Sequence, residues 1–200
     1  MKRNERRNER RFRPPMAPTA RELPPGIAAA VGRATARHSY LRWLLANILY
    51  ALLSIPIRQG RVAVKIPPPP LYITTVADLL AYLRLHMDFN LEALQRKLVA
   101  ADQARNILCH SVFTRDARSG KIHIELVSGA WDEAQDVEAA RKDFRSGSVE
   151  VTRAFLAGKR DAIEDAIKAT RTFAERVNDG LQALNEIRRT RRTMDRRGSR

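Results

Sequence analysis

Residues 27–52, IAAAVGRATARHSYLRWLLANILYAL, decide the fold class. Within them Ile27, Val31, Ala34, His38, Leu41, Leu45, Ile48 and Leu52 recur at alternating four- and three-residue steps, which puts all of them on one stripe of an α-helix. Pro24 and Pro25 stand where a helix tolerates proline, and Pro56 stands where it must already have ended. A helix from Ile27 to Leu53 is therefore expected. Its second half, Trp43 to Ile55, is apolar almost all round. That half contains Asn47, follows Arg42, and runs about 13 residues before the breaker, against the roughly 20 that a bilayer requires, so a buried or dimer-facing helix is the reading. Trp43, Leu44, Leu49, Tyr50 and Leu53 add apolar surface beyond one core-facing stripe, which predicts a homodimer built on this helix. His38, on the stripe, reads as a satisfied interior or interface histidine.

The same spacing returns near the end of the chain. Ile163, Ile167, Thr170, Ala174, Val177, Leu181 and Leu184, thickened by Phe173, predict a last helix packed antiparallel on or near the first. Between them, Arg58 to Pro70 ends in four consecutive prolines and reads as an extended connector. Thr74 or Thr75 is the expected cap of a short helix with Leu79, Leu80, Leu83 and Met87 on its core side, and Asn90 the cap of the next. Ser111 to Thr114 and Lys121 to Val127 flank the turn-rich Arg115 to Gly120. Ile122, Ile124 and Leu126 alternate there with Lys121, His123 and Glu125, a hairpin pattern with His123 on the solvent side. Trp131 to Phe144 reads as an ordered loop or short helix, and Ser148 to Phe155 as a third strand. The expected fold is mainly all-α: an antiparallel bundle of four to five helices with a small β-hairpin inserted after the third.

Two hundred residues with 44% apolar content suit one domain with its own core. The single cysteine excludes an internal disulfide, and no hydrophobic leader is evident, so the expected compartment is the reducing cytoplasm. The net charge of +15 is concentrated at the ends. Residues 1–13 hold seven basic side chains against Glu5 and Glu9, and residues 188–200 hold seven against Asp195, which leaves about +4 for everything between. Both ends are nearly devoid of large apolar side chains, so 1–22 and 188–200 are expected to be disordered basic tails around a helical domain at 23–187. Arg3, Arg6, Arg7, Arg10 and Arg11 at one end, with Arg188, Arg189, Arg191 and Arg192 at the other, are the candidate nucleic-acid contacts, since each guanidinium can neutralise a phosphate and release counterions.

Chemistry is concentrated in Asp102-Gln-Ala-Arg105-Asn106-Ile-Leu-Cys109-His110. Leu91, Leu94, Leu98, Ala101 and Leu108 form an apolar stripe on which Arg105 also falls, and a guanidinium there needs a partner. Asp102, three residues earlier, is in reach for it, while Asn106 and His110 are neighbours four apart. Arg105-x-x-x-x-His110, with the adjacent Asn106, resembles the signature of HEPN domains, helical modules of many bacterial defence and toxin systems. The order of elements from Leu23 to Leu184 is similar to a little-characterised bacterial branch of these proteins. Arg42 stands in the first helix where that branch often carries an acidic residue. Arg33 to His38 and Arg118 to His123 show the same spacing without the asparagine.

The resemblance implies a metal-independent endoribonuclease, of toxin or defence type, acting on RNA as a homodimer with a composite site and with an antitoxin or defence-system partner. His110 would act on the ribose 2′-hydroxyl or the leaving oxygen, Arg105 on the phosphate, Asn106 in orientation, and Asp102 would hold Arg105. Arg105 and His110 lie about 140° apart on an ideal helix, so fraying or a second protomer is expected to bring them together. No cofactor is expected: the sequence carries no phosphate-cradling glycine loop and no Cys or His pair at metal spacing. Cys109 reads as a small core-side residue, and Glu164 as solubilising charge. The competing reading is a non-catalytic helical module that binds RNA, DNA or a protein partner through its Arg-rich ends.

Overall fold

The computed structural model describes residues 23–56, 59–60, 65–116, 118–125 and 149–198. Among these the chain is mostly helical, with four helices: α1 at Pro25–Leu52, α2 at Pro69–Leu83, α3 at Leu91–His110 and α4 at Arg153–Gly198. Three short strands, β1 at Val112–Arg115, β2 at Ile122–Glu125 and β3 at Val149–Glu150, form one antiparallel sheet in the order β1-β2-β3. The helices make one compact unit and the strands belong to a second.

Helix α1 begins at the second proline, as the sequence requires. It ends earlier than Pro56 would force it to. Ser54 takes a left-handed conformation (φ 54°), its N–H reaches the Ala51 carbonyl at 3.1 Å, and the Ile55 N–H reaches the Tyr50 carbonyl at 2.9 Å. This is a Schellman cap made without glycine. Helix α2 ends the same way at Arg84, which has φ 55° and ψ 37°. Its start corrects the sequence reading. The helix opens at Pro69, because prolines in the first turn have no N–H that the helix needs, and only Pro67 and Pro68 remain extended. Thr74 and Thr75 therefore sit inside it, donating to the carbonyls of Pro70 and Leu71. Its buried side is Tyr72, Ile73, Val76 and Leu80, one turn nearer the amino terminus than expected. Asn90 caps α3 as read, its Oδ1 accepting from the Ala93 N–H at 2.8 Å.

The core is built where the stripes meet. Leu41, Leu45, Ile48 and Leu52 of α1 join Leu94, Leu98, Ala101, Ala104 and Leu108 of α3, and Ile163, Ile167, Phe173 and Val177 of α4. Phe173 is fully buried and tilts against Phe89 at 4.8 Å between ring centroids. Burying such a side chain stabilises the fold by about 1.5 to 3 kcal/mol. Thr170, also fully buried, satisfies its hydroxyl on the Ala166 carbonyl at 2.7 Å. Of the five residues read as surplus apolar surface on α1, Leu44, Leu49 and Tyr50 are buried within the chain, and only Trp43 and Leu53 remain exposed.

Helix direction departs from the expectation at one interface. Along α1, Arg37 meets Glu164 and Tyr40 meets Arg171, while Gly26 and Ala30 share a groove with Arg153 and Leu156. Both numberings rise together, so α1 and α4 run parallel. Between α1 and α3 they run oppositely: Thr35 meets Cys109 and His38 meets Asp102. Short loops impose antiparallel neighbours, but the chain from α1 to α4 passes through two helices and three strands and can return to its starting end.

Helix α4 also overruns its expected limit. It continues to Gly198, although Asn185 to Thr190 are all exposed. The reading of 188–200 as a structureless tail is corrected up to Gly198. Arg and Met are good helix formers, and no Gly or Pro interrupts the run before Gly198. Residues 1–22 and the expected element at Trp131 to Phe144 lie outside the described residues.

In the sheet, Phe113 pairs with Ile124 and Thr114 with His123, and Ile122 and Ile124 are buried, as the alternation predicted; Leu126 lies outside the described residues. Asp116 builds the turn by accepting from the N–H groups of Arg118 (2.7 Å) and Ser119 (3.3 Å), which holds its carboxyl below the usual range. His123 is half-buried, opposite Thr114 and Glu150. The expected third strand exists only as Val149–Glu150, because Arg153 already begins α4 and takes Phe155 with it.

Candidate functional site

Asn90 and the apolar stripe fix the rotation of α3, and this decides where its polar residues point. Two sets of helical steps lead from Ala101 to Leu108, one through Ala104 and the other through Arg105. The structure takes the first: Ala104 is buried and Arg105 is half-buried at the border of the stripe. A methyl group lets neighbouring helices approach, whereas a guanidinium in the same place would need a buried counter-ion. Arg105 is thus not the interior residue that the sequence spacing implied.

From that border Arg105 reaches along the last turn. Its Nη1 donates to Asn106 Oδ1 at 3.0 Å and lies 2.6 Å from His110 Nε2. Guanidinium nitrogens only donate, so Nε2 is placed as the acceptor of this contact. The three residues form one cluster within a single chain. The 140° between Arg105 and His110 is closed by the length of the arginine side chain and by His110 being the terminal residue of α3. Neither fraying nor a second protomer is required. His110 is exposed, and Arg105 and Asn106 are half-buried, so the cluster is open to a ligand.

Asp102 does not hold Arg105. Its Oδ1 lies 2.6 Å from His38 Nε2 on α1, with the histidine side chain 12% and the carboxylate 30% exposed. His38 is therefore the satisfied histidine the stripe implied, and its partner is the carboxylate expected elsewhere. One turn away on α1, Thr35 Oγ1 lies 3.3 Å from the half-buried Cys109 Sγ. Cys109 is thereby engaged with α1. Asp102 and Cys109, seven residues apart, share the face of α3 that meets α1, while Arg105 and His110 flank it.

Two further arginines are placed by contacts the sequence does not reveal. Arg37 makes a two-pronged ion pair with Glu164, 2.5 Å through Nε and 2.6 Å through Nη2. The hydrogen bonds hold the Glu164 carboxyl below its ordinary range and raise the Arg37 guanidinium. Arg42 donates to the carbonyls of Ile66 (2.7 Å) and Pro67 (3.2 Å), tying the proline connector to α1. Partner residues 127 and 25 positions away leave no periodic trace. The only local signal was a histidine on an apolar stripe, which announces a partner without naming it.

Of the other candidates, Arg188 and Arg189 are exposed on α4, and Arg191 and Arg192 continue the same helix. Arg3, Arg6, Arg7, Arg10 and Arg11 lie outside the described residues. The two other Arg-x-x-x-x-His spacings form no such cluster: His38 is held by Asp102, and Arg118 belongs to the β-turn. Among the described residues, no group of three or more His, Cys, Asp or Glu side chains could hold a metal ion, and no helix is long and apolar enough to cross a membrane. No protein-family model, curated protein or solved structure matches the chain.

Proposed function

We propose that the chain is a metal-independent endoribonuclease, HEPN-like and of toxin or defence type, whose site is the Arg105, Asn106 and His110 cluster. The observation that supports it is the 2.6 Å approach of a guanidinium to the Nε2 of an exposed imidazole at a helix end. When RNA enters, the Arg105 guanidinium transfers from Nε2 to a phosphate oxygen, and the freed Nε2 meets the ribose 2′-hydroxyl. The 2′-oxygen attacks the adjacent phosphorus while His110 takes its proton; the bond to the 5′-oxygen breaks and that oxygen receives a proton. The products are a 2′,3′-cyclic phosphate and a 5′-hydroxyl. Asn106 keeps Arg105 in place through Oδ1, and Asp102 acts at a distance by holding α1 to α3 through His38. The second proton transfer calls for a second acid–base group, which a homodimer supplies as the partner's copy of the cluster.

The test is cleavage of a structured RNA in the presence of chelator. His110→Ala and Arg105→Ala each lower the rate by roughly 10²- to 10⁴-fold, the usual contribution of a positioned acid or base, whereas Arg118→Ala has no effect. A folded wild-type protein that leaves RNA intact from pH 6 to 9 overturns the reading. The second reading, a non-catalytic binding module, is favoured by one observation: α4 carries exposed Arg188 and Arg189 beyond the buried core. It predicts RNA retention without cleavage and without dependence on His110.

A further inference from the structure

The parallel arrangement of α1 and α4 leaves a groove of about 500 Å³ between their amino-terminal halves. Its floor is apolar and small, with Ala30, Ala34, Leu156 and Ala157, and its rim carries Arg33, Arg37, Arg153 and Arg160 against the single Glu164. Two rim guanidiniums are committed: Arg37 to Glu164, and Arg160 to Asp161 at 2.9 Å. Arg33 and Arg153 are exposed, with no ion-pair partner among the described residues. At the end of the groove marked by Arg37, the chain offers aromatic surface. Tyr40 lies with the Arg37 and Arg171 guanidiniums 5.3 and 5.4 Å from its ring centre, and Arg171 also donates to its hydroxyl at 2.9 Å. Trp43 stacks on Tyr40 at 5.7 Å and 20°, and 45% of it is exposed.

We propose that this groove and its Tyr40–Trp43 ledge bind a single-stranded polynucleotide, the exposed rim arginines Arg33 and Arg153 meeting the phosphates and Trp43 stacking on a base. Charge selects a polyanion, and the ledge selects among polyanions. An acidic protein helix would use the rim but has no need of an exposed indole fixed on a tyrosine, while a duplex hides its base faces. Single strands are bound by this combination of a cationic track and a stacking platform. From Gly26 to Trp43 the helix rises about 25 Å, room for about four nucleotides at the low end of such sites. The Ala and Leu floor makes no base-specific hydrogen bond, so binding is sequence-tolerant. The inference is independent of catalysis at His110, although for a ribonuclease it would supply the path of the substrate strand.

The experiment is fluorescence anisotropy of the full chain carrying His110→Ala, so that the probe survives, with labelled octauridylate, octathymidylate and an RNA duplex. Both single strands bind more tightly than the duplex, and Arg33→Glu with Arg153→Glu flattens the salt dependence by about 0.7 per lost phosphate contact. Trp43→Ala weakens octauridylate about 5- to 100-fold, and Trp43→Phe restores most of that loss. All three substituted positions are outside the core, and circular dichroism checks that the variants fold. Unchanged affinity in the groove variants, with complete loss in Arg188→Glu and Arg189→Glu, overturns the proposal and leaves binding to the end of α4. A duplex bound as tightly as the single strands overturns it, as does a glutamate-rich helical peptide that alone responds to the groove variants. A dimer dissociated by Trp43→Ala without change in octauridylate affinity assigns the ledge to a second copy of the chain. Because cleavage is not the readout, failure here leaves the ribonuclease reading standing, and loss of that reading leaves the groove.

Discussion

Removing Asp102 and removing Arg105 should have opposite signatures, and the pairing of each residue says why. Asp102→Ala leaves the His38 imidazole, 12% exposed, without its hydrogen-bond partner between α1 and α3. A buried polar group so orphaned costs about 1 to 3 kcal/mol, or roughly 2 to 12 °C in melting temperature for a protein of this size. Arg105→Ala breaks contacts to Asn106 and to the exposed His110, both of which water can replace, so its effect on stability stays within about 0.5 kcal/mol. On the proposed mechanism the order reverses in a cleavage assay: Arg105→Ala removes the group assigned to the phosphate, while Asp102→Ala retains much of its activity below its melting point. The assay is a double-mutant cycle on His38 and Asp102 by thermal and urea unfolding, beside cleavage of one RNA. The cycle should show coupling of about 0.5 to 3 kcal/mol, as contacting partners do. Additive effects of His38→Ala and Asp102→Ala, together with an Arg105→Ala that destabilises as much as Asp102→Ala, would refute the assignment and restore Asp102 as the partner of Arg105.

Three other outcomes follow from the same geometry. A Cβ at Gly60 would stand 2.5 to 2.7 Å from three ring atoms of Tyr50, itself 5% exposed, so Gly60→Ala lowers stability by about 1 to 3 kcal/mol in denaturant titrations; a neutral result would mean that the ring is free to move. Arg37 holds the Glu164 carboxyl below the 4.5 of an unperturbed glutamate, so between its folded value and 4.5 the unfolded chain binds more protons. The pair's contribution is therefore complete above about pH 5 and lost as pH falls through the folded value; with both side chains about 40% exposed it amounts to about 1 kcal/mol, read as the difference in acid stability between wild type and Glu164→Gln. Truncation after Ile187 removes the exposed Arg188, Arg189 and Thr190 and the helical residues that follow, beyond the last core residue of α4, so ellipticity falls in proportion to the residues lost while the melting temperature stays within a degree or two.

The helices were legible because burial imposes a period on sequence, and the limits of legibility are the places where periodicity is ambiguous. On α4 the heptad reading named Ile163, Ile167, Thr170, Phe173 and Val177, which are buried, but it also named Ala174, Leu181 and Leu184, which are only half-buried, and it passed over the buried Ala166. A straight helix drifts about 20° per heptad against a strict seven-residue repeat, so the buried face slides off it. On α3 the choice between Ala104 and Arg105 turned on the same near-degeneracy. Capping chemistry was legible where a side chain performs it, as at Asn90. It was not legible where the backbone performs it, as in the left-handed Ser54 and Arg84. The parallel run of α1 and α4 could not be read at all, since direction depends on a crossover whose length sets no sign.

At the site, the sequence supplied the residues but not the partnerships, and the reason is the range of each interaction. Arg105, Asn106 and His110 lie within five residues on one helix, and although an ideal helix sets Arg105 and His110 about 140° apart, the reach of the arginine side chain at the helix end closed the cluster within one chain. Asp102 was given to Arg105 because only local partners can be weighed from spacing. Its actual partner lies 64 residues earlier, and a short-range guess therefore displaced the long-range fact. The exchange has a mechanistic consequence. With Asp102 bound to His38, no carboxylate among the described residues pairs with Arg105, whose partners there are an amide oxygen and an imidazole nitrogen; in the proposed mechanism the guanidinium keeps its charge for an incoming phosphate. A phosphate can displace such partners at little electrostatic cost, whereas displacing a carboxylate would forfeit an ion pair. The pairing that the sequence led one to expect would have made a stable helix face. The observed pairing leaves the motif arginine available to an anion.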